Sequence, residues 1–382
     1  MGRTPPRAID WSTAQRIGEL IAGSPPYGGV WGGAAQPLAH DFARRVSDYT
    51  GLELPAELPP LEMVDRPGWI AANLLTMRPL LDPLIDRLGA GSGSGGEGLL
   101  SGPVRAVSGH LLGAQLGAVT GMLSQRVLGQ YDVSLLDDSP PPPRLLLLAP
   151  NLAEAARTLG VDREELIAWV AIHEVTHAVQ FSGAPWLREH LGGMLGELVA
   201  GLQIGPAGDG GSTQEGDSSS SSSWTDDLRE LIDRAREGEL RTLLDRARRG
   251  ELLRITLGDE RWQLVERMQA TMSLIEGHAE HTMDAVGADV LPSLPRLRAA
   301  MTRRRNRSGI GQRGLPWRVL ERVLGLELKM RQYEAGRRFC DAVVRAGGPE
   351  LLAVAWRSPE ELPSAAELAE PELWVRRIGV PA

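Results

Sequence analysis

The amino-acid sequence predicts a mainly α-helical chain with a small β element. Three observations carry this. Apolar residues recur at helical spacing through most of the 382 residues. One run, Arg144–Leu148 (RLLLL), is short, apolar and bracketed by prolines, as a buried strand is. The stretches between helical segments are low-complexity loops, and no solenoid-length repeat is evident.

In chain order, Ile9 to Ala22 is amphipathic, with Asp10 or Ser12 available as N-cap. A second helix is expected from Pro37 to Thr50, and one or two more from Pro67 in PGWIAANLLTMRPLLDPLIDRL. From Ser101 to Gln130, Gly109, Gly113, Gly117 and Gly121 recur every four residues on one helix face. Such a stripe lets another helix approach closely. Arg105, His110, Gln115 and Arg126 make this a buried helix of a water-soluble fold, not a membrane span. A helix begins at Asn151, and Asp162 caps the next, with Glu165 at the capping-box position. That helix runs through DREELIAWVAIHEVTHAVQF. After Pro185 and Trp186 a new one continues in LREHLGGMLGELVAGL. From Trp224 on, the pattern is helical again, with turns at Gly250, Gly314 and Gly347–Gly348. Flexible loops are expected at 89–98 and 137–143, and a low-complexity insertion at 205–223; the chain 1–382 reads as a single domain.

Composition narrows the function. The 41 Lys and Arg against 49 Asp and Glu give a net charge of −8, which argues against nucleic acid as a partner. Lys329 is the sole lysine, a bias expected of a GC-rich genome. The single cysteine, Cys340, excludes an internal disulfide; in the apolar stretch FCDAVV it reads as a buried thiol. No secretory h-region and no apolar run of membrane-spanning length is present, so a cytoplasmic protein without a membrane partner is expected.

The chemistry centres on His173-Glu174-Val175-Thr176-His177, the pattern H-E-x-x-H. Residues four apart stand one turn apart on one helix face, so both imidazoles reach one tetrahedral ion. Glu174, beside the first ligand, can take the proton of the water that attacks a carbonyl. The flanking Ala171, Ile172, Val175, Thr176, Ala178 and Val179 carry no charge. Ionisable groups on so apolar a helix need partners, and a metal satisfies two histidines at once.

A third ligand must come from elsewhere. The segment SLIEGHAEHTMDAVG offers Glu276, His278, Glu280, His281 and Asp284 on one helix. Glu276 and Glu280 share a face, and His278 points nearly opposite to Glu276. Glu276 and His281 are the rival ligands; Glu280 and Asp284 could orient the metal-bound groups or, for Glu280, touch substrate. A di-iron bundle would need a second Glu-x-x-His pair, but Ala279 follows three residues after Glu276 and Met283 three after Glu280. One zinc ion fits better. Tyr333 and Tyr131 are candidates to stabilise the developing oxyanion, with Tyr333 preferred. The Arg144–Leu148 strand, close before the metal helix, could pair with extended substrate by β-addition or serve only as core.

The form Glu276-Gly277-His278-Ala279 resembles the third-ligand helix of gluzincin metallopeptidases, which implies Glu276 as the zinc ligand. More widely, AIDWSTAQRI, RVLGQYDVSLL, RLLLLAPNLAEAARTLGVDREELIAWVAIHEVTHAVQFSGAPWLREHL, LIEGHAEHTMDAVG and LKMRQYEAGRRFCDAVV resemble the zincin-like zinc-dependent metalloproteases and hydrolases common in actinobacteria. Some members of that family are labelled as associated with deazaflavin coenzyme biosynthesis. The resemblance covers nearly the whole chain. It implies a zincin-like metallopeptidase fold, bound Zn2+ and a peptide or amide substrate. Two alternatives stay open: a catalytically silent binding or scaffold protein on that fold, and an amide hydrolase acting on a small metabolite.

Overall fold

The computed structural model describes residues 9–23, 35–90, 102–137, 139–200, 259–309 and 326–379. The elements are α1 (Trp11–Ala22), α2 (Ala35–Thr50), β1 (Leu61–Val64), α3 (Arg66–Ala90), α4 (Gly102–Ser124), β2 (Gly129–Asp132), β3 (Arg144–Leu148), α5 (Ala149–Leu159), α6 (Arg163–Gly183) and α7 (Trp186–Ala200). They continue with α8 (Asp259–Val290), α9 (Leu294–Gly309), α10 (Leu326–Ala353), α11 (Ala365–Ala369) and α12 (Pro371–Ile378). The fold is mainly helical around one small sheet. Among the described residues no helix is long and apolar enough to cross a membrane.

The sheet is the organising layer. Its order is β1-β3-β2, with β1 parallel and β2 antiparallel to β3. RLLLL is therefore the central strand, and of the two readings left open for it, substrate pairing or core, the structure gives the second: both its edges are taken. Leu61 and Tyr131 flank Leu145 from either side. Period-two alternation sends Leu145 and Leu147 into one core and Leu146 and Leu148 into another, all four fully buried. Each burial contributes about 1.5–3 kcal/mol, so this strand anchors both layers. The Arg144 guanidinium grips Glu62 with two bonds, 2.8 and 2.5 Å, and ties β1 to β3.

One layer is α1, α3 and α4. Asp10 is the N-cap of α1, accepting from the Thr13 N–H at 3.0 Å. The glycine stripe has the predicted partner. A Cβ at Gly113 would overlap the main chain of Asp10, the N-cap of α1, and one at Gly117 or Gly121 that of α1 itself at Ala14 or Gly18. α3 is one continuous helix in spite of Pro79 and Pro83. The expected helix 101–130 ends at Ser124, and Gly129–Asp132 leaves it to pair with β3.

The other layer centres on α6, which packs on β2 and β3 and against α2 and α8. Asp162 caps α6 through the Glu165 N–H at 2.9 Å, as expected. The reciprocal half of the box does not form: the Glu165 carboxylate accepts instead from the Ser293 N–H, 3.0 Å away, and from its hydroxyl. α8 crosses α10 at two glycines; a Cβ on Gly277 would overlap the main chain of Gly336, and one on Gly336 that of Ser273. Cys340 is buried, and burial pushes its thiol well above the ordinary range, so it is no nucleophile at neutral pH. Residues 137 and 139–143 carry no regular element. Of the 89–98 loop, residues 89–90 close α3 and the rest lie outside the described residues, as does the 205–223 insertion.

Candidate metal centre

His173 and His177 project from one face of α6, and Glu276 reaches them from α8. The Nε2 atoms of the two histidines are 3.2 Å apart. Oε2 of Glu276 is 3.4 Å from Nε2 of His173 and 3.7 Å from Nε2 of His177. Among the described residues these three donors form a group that could hold a metal, with all ligand atoms within 4.8 Å of one another.

The chemistry of the cluster fits a cation. Burial disfavours charge on His173, yet the hydrogen bond to Glu276 and the charges of Glu174, Glu276 and Glu280 overcome it and raise its pKa to about 9. Burial and the charged His173 together depress His177 to about 4. One imidazole thus carries a proton where three electron-pair donors converge. A metal ion supplies that positive charge without the proton. His173 and Glu276 keep 20% and 21% of their side chains exposed, so the cluster is reachable from solvent; His177, at 9%, is its inner wall.

Glu174 sits beside the cluster and is not part of it. It is buried, and burial, reinforced by the Glu276 charge, raises its carboxyl to about 7 against the opposing pull of His173. The Tyr131 main-chain N–H donates to the carboxylate from β2. A group poised near neutrality can take up and release a proton at working pH. The space Glu174 occupies exists because residue 129 has no side chain: a Cβ there would lie 2.6 Å from Oε1 of Glu174.

The other predicted residues have different surroundings. His281 is engaged elsewhere: Nε2 takes the Tyr49 hydroxyl at 2.7 Å and Nδ1 bonds the Asp341 carboxylate at 2.6 Å. Asp284 does not orient the metal histidines; it pairs with Arg337 at 2.9 Å and with Arg298. Glu280 is buried one turn beyond Glu276, within electrostatic reach of His173. The Tyr131 ring packs on Phe181 with centroids 5.4 Å apart, and burial raises its phenol to about 12, so it stays neutral. Tyr333 falls within α10, but its side chain lies outside the described residues. Gln180, Tyr49, Asp341 and Gly129 do not stand out in the sequence. Only Gln180 carries a signal there, as a lone amide in an apolar stretch that buries it completely.

The family model of zincin-like metallopeptidases matches residues 9–375. The chain belongs to that family. Zincin-like enzymes carry a metal, usually zinc, and among the described residues the His173–His177–Glu276 group could hold one. Among solved structures, this zincin-like chain is similar to a protein from Chloroflexus aurantiacus described as "a putative hydrolase with a novel fold". The two are 27% identical over 97% of this chain and 98% of the other, with a TM-score of 0.65. No match is found among curated proteins. The zincin-like family and the hydrolase neighbour agree on a hydrolase.

Proposed function

We propose that this hydrolase is a zinc-dependent peptidase that cleaves a peptide or amide bond, with His173, His177 and Glu276 as zinc ligands and Glu174 as general base. The observation that carries the reading is the convergence of three donors with a carboxyl near neutral pKa placed beside them and outside their group. A zinc ion bound there would polarise the scissile carbonyl and lower the pKa of water.

The chain's own groups have defined tasks in this reading. Glu174 takes the proton of the attacking water at its carboxylate and passes it to the leaving amine. Burial keeps that carboxyl from being held as a fixed anion, and the Tyr131 N–H holds it in place. β2, the strand that carries Tyr131, is an edge of the sheet and lies beside Glu174; it offers extended substrate the free edge that β3 lacks. Among the described residues the donor set has three members, which supports turnover over a silent scaffold, since a closed structural site uses four protein ligands.

The test is Glu174→Gln. The amide keeps an acceptor for the Tyr131 N–H but cannot take a proton. The variant should bind zinc as wild type does and lose hydrolysis of an unbiased peptide library by about 10²–10⁴-fold, the range for a lost general base. Unimpaired cleavage by this variant would refute the role of Glu174.

A further inference from the structure

The fully buried amide of Gln180 joins the two helices that supply the ligands. Its Nε2 donates to the main-chain O of Ile275 at 2.9 Å and lies 2.9 Å from Nδ1 of His278. Its Oε1 lies 2.8 Å from Nδ1 of His177. The two ends of an amide are often hard to assign, but here a main-chain carbonyl decides. Ile275 O only accepts, so the NH2 must face it. Oε1 then faces His177, and an oxygen there only accepts, so Nδ1 of His177 must carry the proton. Nε2 of His177 is therefore the unprotonated nitrogen, and its lone pair faces His173 and Glu276, where a metal ion would be bound.

We infer that Gln180 is a positioning residue that fixes the metal-binding tautomer of His177 and makes it conditional on the docking of α8 against α6. The carbonyl that orients the amide belongs to Ile275, the residue just before Glu276. One turn of α8 thus delivers the carboxylate ligand and, through Gln180, prepares the imidazole ligand. The turn is held in place by the Gly277–Gly336 crossing and by the Trp356 ring on His278, centroids 4.8 Å apart. His278 is buried, and its Nδ1, 2.9 Å from the amide nitrogen, is placed to accept the second amide proton. Groups that donate or accept at the second nitrogen of a metal histidine set ring orientation and basicity, and their loss weakens metal binding. The inference rests on the zinc-ligand assignment given above.

The experiment uses the full chain, zinc alone as probe, and three variants. Gln180→Leu removes every bond of the amide. Gln180→Glu keeps an acceptor for His177 and loses the amide donors to α8. His177→Ala removes the ligand. Zinc affinity is read by chelator competition, stability by urea unfolding, and the His177 tautomer of the metal-free protein by long-range proton–nitrogen NMR. The expected result is the Nδ1–H tautomer in wild type, a drop in zinc affinity of about 10–100-fold in Gln180→Leu, and affinity much nearer wild type in Gln180→Glu, although both lose stability. A purely structural amide would lower stability in both variants and leave zinc affinity alike in the two; that result overturns the inference. So does an Nε2–H tautomer in wild type, which needs no variant to fold. If wild type itself binds no zinc, or His177→Ala binds as tightly, the ligand assignment fails instead, a result distinct from the failure of Gln180.

Discussion

Gly129 and Glu174 share one space: a side chain on the strand residue would collide with the carboxylate Oε1 and with Cγ1 of Val170, at 2.6 and 2.7 Å. The edge strand therefore sets the position of the proposed base in two ways, by leaving room at Gly129 and by the N–H of Tyr131. Gly129→Ala should displace Glu174 while leaving the ligand group intact. Turnover should slow by about 10-fold or more, on the order of the cost of a ~1 Å misplacement, with zinc content unchanged. Steady-state kinetics beside metal analysis checks this; turnover equal to wild type would show that the collision is relieved without moving the base.

The assignment of Glu276 over His281 gives a paired prediction. Glu276→Gln should lose most zinc, since it removes the carboxylate 3.4 Å from His173. His281→Ala should retain zinc and lose stability by about 1–3 kcal/mol, because the Tyr49 hydroxyl and Asp341 carboxylate lose their shared partner. Metal content and urea unfolding of the two variants separate the rivals. Zinc lost from His281→Ala and kept in Glu276→Gln would reverse the assignment.

The close approach of α8 to α10 predicts a stability effect with a metal consequence. Gly336→Ala places a methyl group into the main chain at Ser273, one turn before Glu276. Overpacking of this kind costs about 1–3 kcal/mol, and the shift of α8 should weaken zinc binding as well. Thermal unfolding with and without zinc measures both effects.

A pH effect is expected at the C-terminal helices. Ser364 and Glu367 form a capping box on α11, and Arg377 of α12 bonds Glu367 at 2.6 Å. Burial alone would raise the Glu367 carboxyl, but the bonds to Arg377 and Ser364 outweigh it and hold the pKa below 4.5. A depressed folded-state pKa stabilises above the unfolded value and is lost as pH falls through the folded one. Wild type should therefore lose stability below about pH 4.5 more steeply than Glu367→Gln, and Ser364→Ala should cost about 1 kcal/mol at neutral pH. Urea midpoints across pH 3–7 give the answer; parallel curves for wild type and Glu367→Gln would contradict it.

The helices and the ligand pair were legible because each rests on local pattern. The caps at Asp10 and Asp162, the apolar face of α6 and the i, i+4 histidines need no distant partner to be read. The Gly113–Gly117–Gly121 stripe announced a close helix neighbour, although nothing local named α1. β1 and β2 were not legible. LEMV is only four residues, and GQYD contains a glycine and an aspartate that strands avoid; both exist because RLLLL offers two edges. Gln180 and Gly129 act through Ile275 and Glu174, partners far along the chain, so no local pattern reveals their tasks.

The central claim, that His173, His177 and Glu276 hold one zinc ion, is tested most directly by metal analysis of purified wild type beside His177→Ala. The account predicts close to one zinc per wild-type chain and little in the variant. Equal zinc in both proteins, or none in wild type after incubation with zinc, would contradict it.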